Sequence, residues 1–266
     1  MTRLDVYLRE SGMAKSRARA ASLIADGCVT VNGKAETSPA YMLKDTDTVG
    51  VTDSLRYVGR GGLKLEAAIS AFGVDPSSCV CCDIGASTGG FTDCLLQNGA
   101  EKVYAVDSGH GQLATVLLGD PRVVDLEGVN ARLPLSGHVP EKCDMVVCDV
   151  SFISQTYILP NAAELLKDGG LYIGLIKPQF ECGPKSIGKG GIVRSAEARK
   201  AAVMKVLERA AECFLEPCGL IESPITGGDG NIEYLFCAEK TNCPGSADKR
   251  ISERSVAEVV NGKKNQ

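Results

Sequence analysis

Residues 79–91, CVCCDIGASTGGF, decide the fold. The apolar run predicts a buried strand, and Gly85, Gly89 and Gly90 after it allow the backbone to turn tightly and approach a ligand. Asp83 leads this loop, and a carboxylate there repels phosphate but attracts an ammonium or a sulfonium. The next predicted strand ends at Asp107, where an acid suits the two hydroxyl groups of a ribose. The stretch therefore predicts a strand, a ligand-binding turn and a second strand.

Apolar runs alternate with helix-compatible segments on the carboxyl-terminal side of this stretch. The runs are VCCDIG, KVYAVD, RVVDLE, DMVVCDV, LYIGLIK, GLIESPI and EYLFCAE, and residues 195–215 predict a long amphipathic helix. Such alternation is typical of an α/β domain. We assign residues 59–240 to this domain.

The flanking segments differ from this domain. Residues 1–58 predict a small α+β unit plus a linker, with two helical stretches and a hairpin at the Asn-Gly of CVTVNG. Residues 241–266 are polar, and we expect a mobile tail with at most one weak helical turn around SVAEVV.

Composition excludes several classes of protein. Hydrophobic residues make up 44% and charged residues 23% of the 266 residues, which excludes wholesale disorder. The chain has no apolar run long enough to span a membrane and no signal-peptide core at its start, so we expect no membrane association and a cytoplasmic location. Cys79 and Cys82 would point to opposite faces of a strand, so we expect no metal site and interpret the cysteines as small buried hydrophobes.

The net charge of −4 hides an uneven distribution. Residues 3–24 carry five Lys and Arg against two acids, and residues 177–205 carry seven against two. Residues 81–150 are acidic, with ten acids against four bases. The two basic flanks predict an anionic partner, such as a nucleic acid.

The N-terminal stretch RLDVYLRESGMAKSRARAASLIADGCVTVNGK resembles the S4-like RNA-binding domain. It carries Arg-Leu-Asp, then Ser-Arg-x-x-Ala-x-x-Leu-Ile, then Gly-x-Val-x-Val-Asn-Gly. The resemblance implies RNA binding around a helix N-terminus, where N–H groups favour phosphate. The RNA-binding candidates in this part of the chain are Arg3, Lys15, Ser16, Arg17, Arg19 and, at the start of the α/β domain, Arg60.

The glycine loop, written D-x-G-x-x-x-G-G with an acid ending the next strand, is similar to the S-adenosyl-L-methionine site of Rossmann-like methyltransferases. That resemblance implies a mostly parallel seven-stranded sheet with one antiparallel strand. An NAD or nucleotide site stays open, although G-x-G-x-x-G is missing. The cofactor-binding candidates are Asp83, Gly85, Ser87, Thr88, Gly89, Gly90, Phe91, Asp107, Glu127, Asn130 and Asp149.

Lys64 in GRGGLKLE, Asp149 in CDVSF, Lys177 in IKPQFE and Glu233 in GNIEYL lie at predicted strand or helix ends. They resemble the Lys-Asp-Lys-Glu tetrad of the FtsJ-type RNA ribose 2′-O-methyltransferases. The tetrad, the S4-like unit and the glycine loop together resemble the TlyA family, also called haemolysin A. This resemblance implies catalytic roles for the tetrad and methylation of cytidine ribose in ribosomal RNA or ribosomal subunits. The resemblance implies the large-subunit RNA as the main expected substrate and the small-subunit RNA as a second one. The reason is that the N-terminal arm before Arg3 is minimal, as in the shorter subtype of the family.

The segment CGPKSIGKGGIVR predicts a basic flap over RNA, through Lys185, Lys189 and Arg194. Phe152 and Phe180 flank the predicted site and are candidates for stacking on a base. Two other functions remain open from the sequence: an NAD-dependent oxidoreductase, and a non-enzymatic RNA-binding or haemolysin-like protein.

Overall fold

The computed structural model describes residues 2–14, 16–25, 27–51, 56–227, 230–242 and 251–262. The chain divides into two compact units, Met1–Arg60 and Gly61–Gln266. The division falls two residues after the boundary expected at residue 58.

The first unit packs two helices against short strands. Its elements are β1 (Thr2–Arg3), α1 (Leu4–Glu10), α2 (Arg17–Ala25), β2 (Val29–Val31), β3 (Lys34–Ala35), β4 (Met42–Leu43) and β5 (Val49–Val51). The order β3-β2-β5 forms one antiparallel sheet, and β1 pairs with β4.

Local sequence explains this unit. The side chain of Ser16 caps α2 by accepting the Arg19 N–H at 3.1 Å. Asn32 and Gly33 both have positive φ, as the turn of a tight hairpin between β2 and β3 requires. Leu4 and Ile24 are fully buried in a small core between the helices and β2. The predicted pair of helices and the Asn-Gly hairpin both form.

The second unit is a sheet with helices between its strands. Its elements are α3 (Gly61–Phe72), β6 (Val80–Ile84), α4 (Gly90–Gln97), β7 (Lys102–Asp107), α5 (Thr115–Leu118), β8 (Val123–Glu127), β9 (Cys143–Cys148), α6 (Leu159–Leu165), β10 (Leu166–Ile176), α7 (Pro178–Glu181), α8 (Ala196–Glu212), β11 (Leu215–Glu222), β12 (Tyr234–Lys240) and α9 (Glu253–Val260). Short 3-10 helices lie at Gln155–Tyr157, Pro184–Ser186 and Lys189–Gly191.

The seven-stranded sheet has the order β11-β12-β10-β9-β6-β7-β8. Strands β6 to β10 pair in parallel, and β12 is antiparallel to both of its neighbours. The predicted mostly parallel sheet with one antiparallel strand is confirmed. The central strands β6, β7 and β9 are almost continuous apolar runs, because helices cover both faces of such sheets.

The C-terminal segment differs from the prediction. Residues 253–260 form α9 instead of a mobile tail, with Ser252 capping the helix through the Ser255 N–H. Val256 and Val260 are buried in the same core as the sheet. The two valines lie one helical turn apart and give α9 an apolar stripe, which packs on α8 and β11. The expectation of a mobile polar tail is therefore wrong for this segment. Residues 243–250 and 263–266 lie outside the described residues.

Candidate active site

Strand register brings the predicted catalytic residues to one edge of the sheet. Ile84 pairs with Cys148, and the Asp149 N–H donates to the Ile84 carbonyl at 3.0 Å, so the glycine loop begins beside Asp149. Ile176 pairs with Tyr234 across the antiparallel ladder, which sets Lys177 beside Glu233. The carboxyl ends of parallel strands form this edge, where ligands of open α/β sheets bind.

The four residues form two short ion pairs. Lys177 Nζ lies 2.6 Å from Asp149 Oδ1, and Lys64 Nζ lies 2.6 Å from Glu233 Oε2. Their side chains are between 2% and 19% exposed. Separating such a pair would leave each charge away from water without a counter-charge, which is energetically costly. Each carboxylate therefore holds its lysine in place. Lys177 also donates a hydrogen bond of 2.8 Å to Ser151 Oγ.

Helix α3 brings the two pairs together. Gly61 lies three residues before Lys64 and shares its face of the helix. A Cβ on Gly61 would lie 3.9 Å from Asp149 Oδ2, so this turn of α3 passes directly over Asp149. The structure therefore assembles the predicted tetrad as two adjoining lysine–carboxylate pairs.

A cavity of about 660 Å³ opens beside this edge. The predicted cofactor residues that line it are Gly85, Ser87, Asp107, Asn130 and Asp149. Sequence reasoning missed other lining residues, including Gln112, Val129, Ala131 and Ser151. Ser151 had a signal, since it lies two residues after Asp149 in CDVSF, whereas Gln112 lies in a loop with no motif.

The glycine loop is shaped by two constraints. Gly85 has φ +86°, and a Cβ there would lie 2.5 Å from the Asp149 carbonyl oxygen, so this close approach of two strand ends requires glycine. Asp107 holds the loop from the next strand: its Oδ2 accepts the Ser87 N–H at 2.8 Å and its Oδ1 accepts the Gly109 N–H at 2.7 Å. Asp107 is therefore a clamp for the loop as well as a lining group.

Asp83 supports the loop from inside the sheet. Its carboxyl is fully buried, and Thr92 donates to it at 2.6 Å. Burial raises the pKa of Asp83 to about 7, against the opposing effect of the Thr92 hydrogen bond. Its Oδ1 has no hydrogen-bond partner among the described residues.

The other cofactor candidates are not among the residues lining the cavity. The Thr88 carbonyl accepts the Ala114 N–H, Gly89 has φ +95° beneath Leu117, and Gly90 begins α4. Phe91 is buried against Gly61. A Glu127 carboxylate oxygen accepts the Gln112 N–H at 3.2 Å. Contact of these five residues with a cofactor stays a prediction.

Two of the predicted RNA-binding residues in the first unit share one acid. Arg3 binds Asp5 through two hydrogen bonds of 3.0 and 3.2 Å, and Arg17 Nη2 lies 2.8 Å from Asp5 Oδ2. The arginine side chains are about half exposed, whereas the Asp5 side chain is 6% exposed. These contacts hold the pKa of Asp5 well below its usual range, first through Arg3 and then through Arg17.

The other RNA-binding candidates lie apart from this cluster. Arg19 is exposed, and the Arg60 guanidinium lies beside Gly27. Lys15 lies outside the described residues.

The predicted flap presents Lys185, Lys189 and Arg194 to solvent. Its carboxyl-terminal half is tied to the loop that carries Glu233. Asn231, 1% exposed, accepts the Val193 N–H at 2.9 Å and donates to the Gly191 carbonyl at 3.0 Å.

Neither a metal centre nor a membrane span is seen in the part of the chain that the structure describes. No three His, Cys, Asp or Glu residues cluster there in a way that would hold a metal ion. None of the helices described is both long and apolar enough to cross a bilayer. Burial raises the pKa of the Cys143 and Cys148 thiols to about 12, so they stay protonated in the core.

Comparison with known proteins agrees with this architecture. Residues 57–240 match the FtsJ-like methyltransferase model, and residues 2–49 match the S4 domain. The chain is 44% identical to Hemolysin A of Brachyspira hyodysenteriae, over 88% of this chain and 98% of that protein. It is 39% identical to the 16S/23S rRNA (cytidine-2′-O)-methyltransferase TlyA of Mycobacterium tuberculosis, over 97% of this chain and 95% of the relative.

A solved structure of a Streptococcus thermophilus protein named as a hemolysin superposes with a TM-score of 0.77. It is 40% identical and covers 98% of this chain and 94% of its own. The matches extend over both units and include the tetrad and the glycine loop. The chain therefore belongs to the TlyA (haemolysin A) family, in which an S4 domain precedes an FtsJ-like methyltransferase domain.

Proposed function

We propose that this protein methylates the 2′-hydroxyl of a cytidine ribose in ribosomal RNA, with S-adenosyl-L-methionine as the methyl donor. The observation that carries the proposal is the position of the Lys177–Asp149 pair, which lies at the rim of the glycine-loop cavity. We infer the substrate from the Mycobacterium tuberculosis relative, which is named as a cytidine-2′-O-methyltransferase of ribosomal RNA.

The cavity suits this donor in size and chemistry. A volume of about 660 Å³ lies within the usual range for small-molecule sites. Asp107 and Asn130 offer hydrogen-bonding groups for ribose and adenine, and Val129 and Ala131 supply an apolar wall. Asp149, beside Gly85, places a negative charge where the donor's positive charge would lie. When bound, S-adenosyl-L-methionine supplies an electrophilic methyl group on a cationic sulfur.

Lys177 is the base in this proposal. A ribose hydroxyl becomes a useful nucleophile only as its proton leaves, and Lys177 Nζ is the group that would take it. An amine accepts a proton only in its neutral form, so Lys177 must first release its ammonium proton to solvent. Contacts with Asp149 and Ser151 then fix the direction of Nζ. Much of the rate then comes from holding the oxygen in line with the methyl group.

Lys64 has a different role. Glu233 holds its Nζ at 2.6 Å in a nearly dry environment next to Asp149, so a fixed positive charge faces the place where negative charge develops on the 2′-oxygen. Glu233 itself is packed against Gly227, where a Cβ would lie 2.5 Å from Oε1. Glu233 is therefore a positioning residue for Lys64.

Phe152 is suited to hold the target base. It lines the cavity, its side chain is 92% exposed, and its ring centroid lies 5.2 Å from that of Phe180. A base must leave its helix for its ribose to enter a site of this depth, and aromatic rings stabilise such bases by stacking.

The Lys177→Ala variant tests the proposal. We expect it to abolish methyl transfer without weakening the binding of S-adenosyl-L-methionine, because Lys177 does not line the donor cavity and the Asp149 carboxylate that lines it remains. Mass spectrometry of ribosomal RNA nucleosides, from cells with the parent protein, the variant or neither, measures the transfer. Isothermal titration measures the Kd. A 2′-O-methylcytidine level that does not depend on Lys177 would remove it as the base.

Mapping the same RNA also decides the target subunit. We expect the large-subunit RNA, since the names of both the Mycobacterium tuberculosis and the Campylobacter jejuni relatives include 23S rRNA, and only the first also includes 16S rRNA. The oxidoreductase alternative is not favoured, because the methyltransferase model spans residues 57–240.

A further inference from the structure

A second groove adjoins the active-site cavity, and nothing in the proposed chemistry uses it. It has a volume of about 560 Å³ and shares Phe152 and Ile153 with the cavity. Its other walls come from Arg132 after β8, Tyr157 at the end of a 3-10 helix, Phe180 on α7 and Lys205 on α8. We call it the aromatic groove.

The groove presents aromatic rings to solvent. Tyr157 is 58% exposed, and the Arg132 guanidinium lies over its ring at 5.0 Å from the centroid. Phe152, between the groove and the cavity, adopts φ +64°, a strained conformation for a residue with a side chain. Exposed rings next to a cation are typical of surfaces on which nucleic-acid bases stack.

The charge of the groove is compatible with RNA. Its one acid, Glu181, is buried and satisfied by Ser154 Oγ at 2.5 Å and the Gln155 N–H at 2.7 Å. Lys205 Nζ lies 3.4 Å from the Glu181 carboxylate, and its side chain is 49% exposed. Lys205 Nζ also donates to the Glu181 carbonyl at 3.0 Å, so Glu181 holds this lysine at the groove. With the exposed Arg132, the described charged residues that line the groove leave it net positive, which suits a phosphate group.

We propose that the aromatic groove binds a nucleotide adjacent to the methylated one, with its base stacked on Tyr157 and Arg132 and its phosphate near Lys205. The proposal rests on the proposed function, because it takes the cavity as the site of the methylated ribose. A neighbouring nucleotide is covalently joined to that ribose, so it must lie against a surface continuous with the cavity. The shared wall at Phe152 provides that continuity.

The test uses full-length protein with S-adenosylhomocysteine and oligocytidylates of one, two and three nucleotides. For the parent, we expect lengthening from one to three nucleotides to tighten binding roughly 5- to 150-fold, the usual effect of one stacked base. Tyr157→Ala and Arg132→Gln should lose most of this gain, and Tyr157→Phe should keep it because the ring remains. A parent protein that shows no gain with length would overturn the proposal.

Phe214→Ala is the matched control. Phe214 is also an exposed aromatic residue with positive φ and a cation, Lys240, 5.7 Å from its ring centroid. It precedes β11 and is absent from the walls of both the cavity and the groove. The proposal requires Phe214→Ala to keep the gain in affinity.

The outcome separates this proposal from the proposed function. If the parent methylates ribosomal RNA but Tyr157→Ala and Arg132→Gln keep the full gain with length, the groove proposal alone is wrong. If the two variants weaken binding only to assembled ribosomal subunits, the groove contacts a ribosomal protein and the proposal is also overturned. Loss of methylation in Lys177→Ala reports on the proposed function separately.

Discussion

At the scale of single residues, Asp83 couples the folding of the methyltransferase domain to pH. The native state keeps its proton up to about pH 7, because burial raises the pKa of this carboxyl from 3.8 to about 7. The unfolded chain loses the same proton near pH 4. Asp83 therefore contributes stability that is present below pH 4 and is lost as the pH rises towards 7.

Asp83→Asn should remove this pH dependence. Asn cannot ionise, and its oxygen can still accept the Thr92 hydrogen bond. Between pH 5 and pH 8 we expect the parent to lose more free energy of unfolding than the variant, by an amount of up to roughly 3 kcal/mol. Urea denaturation at the two pH values measures the difference. Identical losses in the two proteins would show that Asp83 is ionised throughout.

Asp5 should order the arginines of the S4 domain. Its carboxylate binds the side chains of Arg3 and Arg17 and restricts their conformations before RNA binds. These arginines therefore lose less conformational entropy on binding RNA. Asp5→Asn removes a negative charge, yet we expect it to weaken RNA binding roughly fivefold or more, since two side chains must then be ordered on binding.

Fluorescence anisotropy with ribosomal RNA at fixed salt measures this effect. Glu10→Gln is the control, because it removes an exposed acid from the end of the same helix, α1. Charge alone predicts that both variants bind RNA more tightly. Tighter binding by Asp5→Asn would contradict the ordering role.

At the scale of elements, the strand ends around Gly85 leave no room for a side chain. Gly85→Ala forces a Cβ against the backbone of Asp149 at a positive φ, and backbone cannot rotate away as a side chain can. We expect a loss of about 1–3 kcal/mol in stability and a larger loss in methyl transfer, because Asp149 moves away from Lys177. Gly137→Ala, where a Cβ meets open space away from the cavity, the groove and the flap, should change neither.

Thermal denaturation and the methylation rate check this pair of variants. A Gly85→Ala protein with parental activity would show that the loop adapts without moving Asp149.

The sequence predicts helices and strands well where the pattern of apolar residues matches the side chains that the fold buries. Each of the seven apolar runs in the sequence overlaps a strand of the mostly parallel sheet, most closely in the buried central strands. Strands β1 and β4 are two residues long and carry no periodic signal. For helix α9 the sequence predicts at most one weak turn, because a short segment that is half polar does not reveal that α8 and β11 cover Val256 and Val260.

The candidate site was predictable only in part. Motifs identified Lys64, Asp149, Lys177 and Glu233, but which lysine pairs with which acid depends on the register of β10 and β12 and on the path of α3. The groove at Tyr157 and Arg132 carries no motif, because its walls come from separate loops and helices.

At the scale of the whole molecule, a net charge of −4 coexists with clusters of basic residues, such as those of the exposed flap. Neutralising the flap by changing Lys185, Lys189 and Arg194 to Gln should lower the slope of log K against log salt by about 2 to 3, since each phosphate contact releases counterions. Binding of ribosomal RNA measured at several salt concentrations gives the slope.

A matched triple variant changes Lys102, Lys142 and Lys167 to Gln. These lysines lie near the amino ends of β7, β9 and β10, on the opposite edge of the sheet, and the change in charge is the same. An equal fall in slope for both triple variants would mean that overall charge, and not the flap, sets the salt dependence.

The ion pair between Lys64 and Glu233 joins residues 169 positions apart. Lys64 lies on the first helix of its domain and Glu233 precedes the last strand of the sheet. The site is therefore incomplete until the chain has been synthesised as far as residue 233. A chain that is truncated before residue 233 therefore carries Lys64 without its carboxylate partner, and its site lacks one of the two ion pairs.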